Sequence, residues 1–262
     1  MDQHRHRSAT WEGRVHLPRV DEPLDQDQEW CEVQEGQGRL RLRFHDYAEL
    51  YRRTGLYEHL FYGLLGCCSP ERVAGMLAEL RSDGLCTGPL RVLDLGAGNG
   101  MLGEELRKLD AEAVLGVDII EDARVAAGRD RPGVYDDYLV DDLTNPSAAT
   151  LTRLTDFRPT CLSCVAALGF GDVPPLAYFS ALAHIPVGGI LAFNIKSDFL
   201  DHRYTFGFSE LIRRMIGEQY IRFEATRRYQ HRRNVRGEPL YYTAIIATKL
   251  AEVPESLLVD ER

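Results

Sequence analysis

From residue 91 onward, short apolar runs alternate with stretches in which apolar residues recur every three or four positions. The runs at 91–95, 113–118, 137–141, 161–167 and 189–195 have the length and composition of buried strands. Between them, 100–109, 121–129, 147–157 and 175–184 carry helical spacing, as Met101, Leu102, Leu106 and Leu109 illustrate. Strand–helix alternation predicts a parallel sheet with right-handed crossovers. After a helix at 208–217 come two strands, 220–229 and 240–248, with only the Arg236–Gly237 turn between them. That pair predicts a closing antiparallel hairpin.

The first third of the chain reads differently. Residues 1–38 are polar, contain Pro18 and Pro23, and show no sustained period, which predicts a mobile or loosely packed arm in which Trp11 and Trp30 are the exceptions, either able to dock on the domain or cover a site. Residues 39–85 predict a helical cap. Its helices run over 44–53 and 56–65, broken at Thr54–Gly55, and a third starts with Ser69 as its cap and Pro70 in its first turn. Residues 86–250 then form the main domain, and 251–262 a tail.

Residues 91–100 read RVLDLGAGNG, and VLGVDII follows some twenty residues later. An apolar strand, a glycine turn into a helix and a second strand tipped by a carboxylate is how α/β sheets hold adenosine-containing ligands. Gly96 permits a sharp turn and Gly98 removes a Cβ that would block a ligand. The helix then presents its unpaired N–H groups. A dinucleotide loop usually reads GxGxxG, but here Met101 holds the third glycine position, and Gly100 comes one residue early. Asp94, two residues before the turn, suits a sulfonium or ammonium group better than a pyrophosphate.

On these residues, 91–196 resembles the class I S-adenosylmethionine-dependent methyltransferases. LDLGAGNG is similar to that family's first motif and GVDII to its second; YLVDDL at 138–143 is similar to its third, and HIPVGGILAFNI at 184–195 to its turn into strand five. The resemblance implies an α/β, Rossmann-like seven-stranded sheet, mostly parallel with the last strand antiparallel and inserted between strands five and six. Helices would cover both faces, beneath an N-terminal helical cap. It implies S-adenosylmethionine as cofactor, bound by Asp94, Gly96, Ala97, Gly98, Gly100, Asp118, Ile119, Asp142 and Leu143. Asp118 would accept from both ribose hydroxyls, Ile119 would lie against adenine, and Asp142 rather than Asp141 would meet the adenine amino group. The competing reading is a nicotinamide-dinucleotide enzyme on a similar sheet.

Acceptor chemistry is expected beyond the carboxyl ends of the strands. FHDYAELYRRTGLYEHLFY in the cap, GFGDVP after strand four and KSDFLDHRY after strand five all end there. Tyr47 and Tyr51 share a helix face, as do Tyr57 and Phe61. Tyr47, Tyr51, Phe170, Lys196 and Tyr204 are the expected acceptor contacts. His45, Tyr57 and His202 are the candidate catalytic groups, since imidazole titrates near neutrality. Each of these residues has an ordinary structural role as its alternative. GDVPPLAY lacks the aromatic that would make it an amide-methylating (N/D)PPY motif. No metal site is expected: Cys161 and Cys164 sit in an apolar strand, and residues three apart on a strand point to opposite faces.

Bulk properties narrow the function. The chain has 262 residues, 44% hydrophobic and 27% charged, with a net charge of −9, which suits one large α/β domain with an extension. A net acidic protein does not attract nucleic acid by its mean field. The exception is 222–236, where Arg222, Arg227, Arg228, Arg232, Arg233 and Arg236 surround His231. No apolar leader or membrane-length run is present, so a cytoplasmic protein without membrane partners is expected. The expected activity is methyl transfer to a small-molecule acceptor. The alternatives are an RNA or protein methyltransferase using the basic stretch, and a non-catalytic S-adenosylmethionine-binding protein. Monomer and homodimer both stay open.

Overall fold

The computed structural model describes residues 10–21, 24–85, 87–168, 171–200 and 207–258. Phe170, His202 and Tyr204, together with the expected domain boundary at Cys86, lie outside the described residues.

The main sheet contains β4 (Arg91–Leu95), β5 (Ala113–Asp118), β6 (Asp137–Val140), β7 (Cys161–Cys164), β8 (Ile190–Lys196), β9 (Ile221–Arg233) and β10 (Pro239–Lys249). Its order is β6-β5-β4-β7-β8-β10-β9, and only β10 runs antiparallel to its neighbours. This is the Rossmann-like sheet that was expected, with the seventh of its strands inserted between the fifth and sixth. The first five pair in parallel because each is followed by a helix that returns over a face: α3 (Met101–Arg107), α4 (Glu121–Asp130), α5 (Ala148–Phe157) and α6 (Pro175–Leu182). The helix α7 (Gly207–Gly217) precedes the hairpin. Alternate strand residues feed separate cores. Leu93, Leu115 and Leu162 pack on one face, and Val92, Val114 and Ile190 on the other. Cys161 and Cys164 divide in the same way, one in each core.

The N-terminal region departs from expectation. In place of a mobile arm, β1 (Val15–His16), β2 (Trp30–Glu35) and β3 (Gly38–Arg43) form an antiparallel sheet. Its pattern is period two: Cys31, Val33 and Leu42 are buried, and Gly36 supplies the positive φ of 59° that the tight β2–β3 turn needs. The alternation is short and crowded by charge, which is why a longer window misses it. Its buried face shares a core with Trp11, Phe44, Leu50, Leu56, Leu60 and Val235, so the cap is a sheet and helices packed on the β9–β10 turn.

The cap's helices are α1 (Tyr47–Arg52), a π-helical stretch at Glu58–Leu64, and α2 (Ser69–Ser82). Ser69 does not cap α2; Cys68 holds that position. The Ser69 hydroxyl is buried instead, 2.6 Å from both Tyr229 Oη and His231 Nδ1. The strand predicted over 161–167 ends at Cys164. Beyond it Ala166 takes a left-handed φ of 61°, and its N–H donates to Asn194 Oδ1 at 2.7 Å.

Candidate functional site

The carboxyl ends of β4, β5, β6 and β7 open into one cavity of about 330 Å³, roofed by the cap. On its floor the chain turns through Gly96 (φ 70°) and Gly98 (φ 54°) into α3. Ligand pockets of this size are concave, partly apolar and carry a few aimed polar groups.

Asp118 ties the second strand to the glycine turn. Its Oδ2 accepts the Gly98 N–H at 2.9 Å, and its Oδ1 accepts the Ile120 N–H at 3.0 Å. A carboxylate has about four acceptor positions, so two remain for a ligand diol. Burial pushes its pKa up. Beside it Ile119 is 61% exposed, an apolar side chain on the cavity wall with nothing of the protein over it. Gly116, within β5, is required by packing: a Cβ there would lie 2.9 Å from the Tyr138 ring.

Asp94 is buried at the end of β4. Ser163 Oγ donates to its Oδ1 at 2.8 Å and Tyr135 Oη to its Oδ2 at 2.8 Å. Burial dominates these bonds and raises its pKa to about 6. Tyr138 Oη donates to the Gly98 carbonyl at 2.7 Å. After β6, Asp141 is held low, at about 2, by bonds from Thr150 and the Ser147 backbone. Asp142 Oδ1 accepts from the Thr144 N–H and hydroxyl, both at 2.8 Å.

The roof is aromatic. Tyr47 and Tyr51 stack with ring centroids 6.3 Å apart, and Tyr51 and Tyr57 lie 4.9 Å apart. Burial raises the phenol pKa of all three; Asp172 adds to the effect at Tyr47, and Tyr57 and Asp118 add to it at Tyr51. These hydroxyls are therefore neutral donors at physiological pH. Tyr57, a catalytic candidate by sequence, lines the cavity wall. His45 Nδ1 lies 3.1 Å from Asp172 Oδ1, joining the cap to the loop after β7. Beneath the cap, Glu58 Oε1 accepts from Asn99 Nδ2 at 2.7 Å and from Arg131 at 2.9 Å.

Most of the expected site residues converge. Asp94, Gly96, Ala97, Gly98, Asp118 and Ile119 line the cavity, followed by Asp142 and Leu143, and on the cap side His45, Tyr47, Tyr51 and Tyr57. Two do not. Gly100 caps α3 at φ 87° and packs towards Val134, Arg131 and Tyr135. Lys196 ends β8, 3.8 Å from Asp198, and is not on the wall. Sequence reasoning passed over Tyr135, Asn99 and Arg131, and gave no role to Tyr138 and Glu58 within the stretches it singled out. Their signal lies in tertiary partners far along the chain, which periodicity does not carry.

The chain matches no protein-family model and no curated protein sequence. It is similar in fold to solved structures at low identity. A S-adenosylmethionine-dependent methyltransferase from Clostridium acetobutylicum is 13% identical, with 75% of this chain and 97% of that one covered and a TM-score of 0.49. The magnesium protoporphyrin IX methyltransferase of Synechocystis, solved with bound S-adenosylmethionine, is 19% identical over 69% of this chain and 79% of its own, at 0.46. A putative RNA methyltransferase from Pyrococcus horikoshii is 11% identical over 96% and 100%, at 0.47.

Proposed function

We propose that this protein is a S-adenosylmethionine-dependent methyltransferase acting on a small-molecule acceptor. One observation carries the reading: the buried carboxylate of Asp94 lies under the glycine loop, on the wall of the same cavity as Asp118. A pyrophosphate set there would face two carboxylates, whereas a sulfonium and ammonium ligand gains from them.

The residues present fit the cofactor. Asp118 has acceptor capacity left for ribose hydroxyls, Ile119 offers an uncovered apolar surface for a base, and Gly96 and Gly98 let the backbone approach. The cofactor supplies an electrophilic methyl carbon on a good leaving group. The protein's part is alignment of the nucleophile with that carbon at about 3 Å, which the aromatic roof serves. A nucleophile that arrives protonated must lose its proton. We assign this role to His45, which lines the cavity and is joined to Asp172 through Nδ1.

A small acceptor is supported by the roofed cavity. Against an RNA or protein acceptor stands the pairing of the basic stretch with groups of the protein itself. Arg232 is buried against Glu29, and on the surface Arg227 pairs with Glu79 and Arg228 stacks on Tyr241. Among the described residues no helix is long and apolar enough to cross a membrane. Cys31, Cys67, Cys68, Cys161 and Cys164 are free thiols, which suits a reducing compartment such as the cytoplasm.

Calorimetric titration with S-adenosylhomocysteine, and with NAD as control, tests the reading. Micromolar binding of the first and none of the second is expected. Binding of NAD alone would return Gly96–Gly100 to a dinucleotide loop.

A further inference from the structure

We propose that the acceptor is an amine, recognised as an ammonium ion between the tyrosine roof and Asp172; this rests on the methyl-donor reading above. The cavity extends from Asp118 and Asp142, beyond β5 and β6, to Asp172 in the loop after β7. With the cofactor's adenosine at the first end, Asp172 marks the end left for the acceptor. His45 and Tyr47 stand against Asp172 there, and Pro174 follows it along the loop.

Three observations favour a cation. First, among the described residues the cavity is lined by Asp94, Asp118, Asp141, Asp142 and Asp172, and by no lysine or arginine. A carboxylate or phosphate on the acceptor would enter that field unpaired, at a cost of desolvation and repulsion. Secondly, the roof is a run of three tyrosine rings in contact, Tyr47, Tyr51 and Tyr57. Aromatic faces attract ammonium groups, and more strongly when water is excluded. Thirdly, Asp172 is anchored for the task. Its Oδ1 meets His45 Nδ1 at 3.1 Å and its Oδ2 is 3.4 Å from the Tyr47 hydroxyl. Both contacts come from the cap, so the carboxylate is held at the seam between cap and sheet. Burial raises the pKa of the Tyr47 phenol, and the charge of Asp172 beside it adds to the effect. A neutral alcohol could donate to this carboxylate but would leave its charge unpaired; an ammonium both donates and neutralises it.

The test uses the full chain saturated with S-adenosylhomocysteine and two probes that share a ring and differ in charge: tyramine, and 3-(4-hydroxyphenyl)propionate. Calorimetry should show tyramine binding at least tenfold tighter. Asp172→Asn should abolish the preference while still binding S-adenosylhomocysteine, which reports that the variant is folded. Equal binding of the two probes, tighter binding of the carboxylate, no binding of tyramine, or a preference that survives Asp172→Asn would each overturn the inference. Failure of S-adenosylhomocysteine itself to bind would instead remove the methyl-donor reading, and this inference with it.

Discussion

The hydroxyl oxygen of Tyr51 lies 2.6 Å from the point that a Cβ on Gly98 would occupy. The cap is thus seated on the glycine turn at a place where only a hydrogen fits. Gly98 also has a φ of 54°, a region that costs other residues roughly 1–2 kcal/mol. Gly98→Ala therefore carries two penalties, backbone strain and the clash, and is expected to lose about 2–4 kcal/mol in urea unfolding. Tyr51→Phe removes the clashing oxygen, and the next ring atom, at 3.5 Å, is in ordinary contact. The double variant should recover roughly half of the loss. Additive effects would mean that Tyr51 does not rest on the loop in solution.

Asp118 is the residue on which the cofactor assignment turns. Its backbone bonds to Gly98 and Ile120 orient it, and its remaining acceptor positions face the cavity. Asp118→Ala should weaken S-adenosylhomocysteine binding by one to two orders of magnitude, about 1.5–3 kcal/mol for hydrogen bonds to a charged group. Calorimetry reads this directly. Unchanged affinity would put the ribose elsewhere.

Asp94 gives a pH-dependent signature. Burial raises its pKa from 3.8 to about 6, so folding disfavours its charged form. The resulting penalty grows between pH 3.8 and about 6 and is full above that, on the order of 3 kcal/mol. Asp94→Asn removes the charge. Tyr135 Oη can turn its donor to the Ala97 carbonyl, 3.2 Å away, so the amide is accommodated. The ligand-free variant should therefore be more stable than the parent at pH 7–8, with the gap closing as pH falls from 6 towards 4. Thermal unfolding across that range checks it. The same variant should bind S-adenosylmethionine more weakly, since the charge that destabilises the empty site is the one a cationic ligand uses. A gap that stays constant with pH would show that Asp94 has an ordinary pKa.

The parallel part of the main sheet could be read from the chain because its central strands are apolar on both faces and are each followed by their own helix. Leu93 and Val92 serve opposite cores, and the pattern needs no knowledge of distant residues. The floor of the site was legible for the same reason: Gly96, Gly98 and Asp118 come from consecutive elements joined by short turns. The N-terminal sheet was not legible. Its buried set is short, Cys31 and Val33 against Leu42, and the rest of its core comes from Phe44, Leu60 and Val235. The supports of the site were hidden for another reason. Tyr135 reaches Asp94 across 41 positions, and Arg131 reaches Glu58 across 73. Such pairs become neighbours only after the sheet has formed.

The same non-local logic decides what the basic stretch does. An RNA or protein acceptor would have to engage the basic stretch, in which Arg232 and Arg233 are central. Arg232 is unsuited to that role: it is 2% exposed and its guanidinium donates to Glu29 Oε2 at 2.6 Å, while Glu29 Oε1 accepts the Val235 N–H at 2.7 Å. The pair joins the N-terminal region to the β9–β10 turn, with Arg232 also 5.5 Å from the Phe44 ring. Breaking a buried pair from one side strands the other charge, at a cost of about 3–5 kcal/mol. Arg232→Ala should thus lower the unfolding free energy measured in urea by that amount. Combining Arg232→Met with Glu29→Gln should recover more than half, because no charge is stranded and the amide oxygen still accepts from Val235. Loss of activity in the single variant with recovery in the double would identify a folding role. A loss of stability below about 1 kcal/mol would mean that Arg232 is accessible to solvent and is available to a phosphate after all.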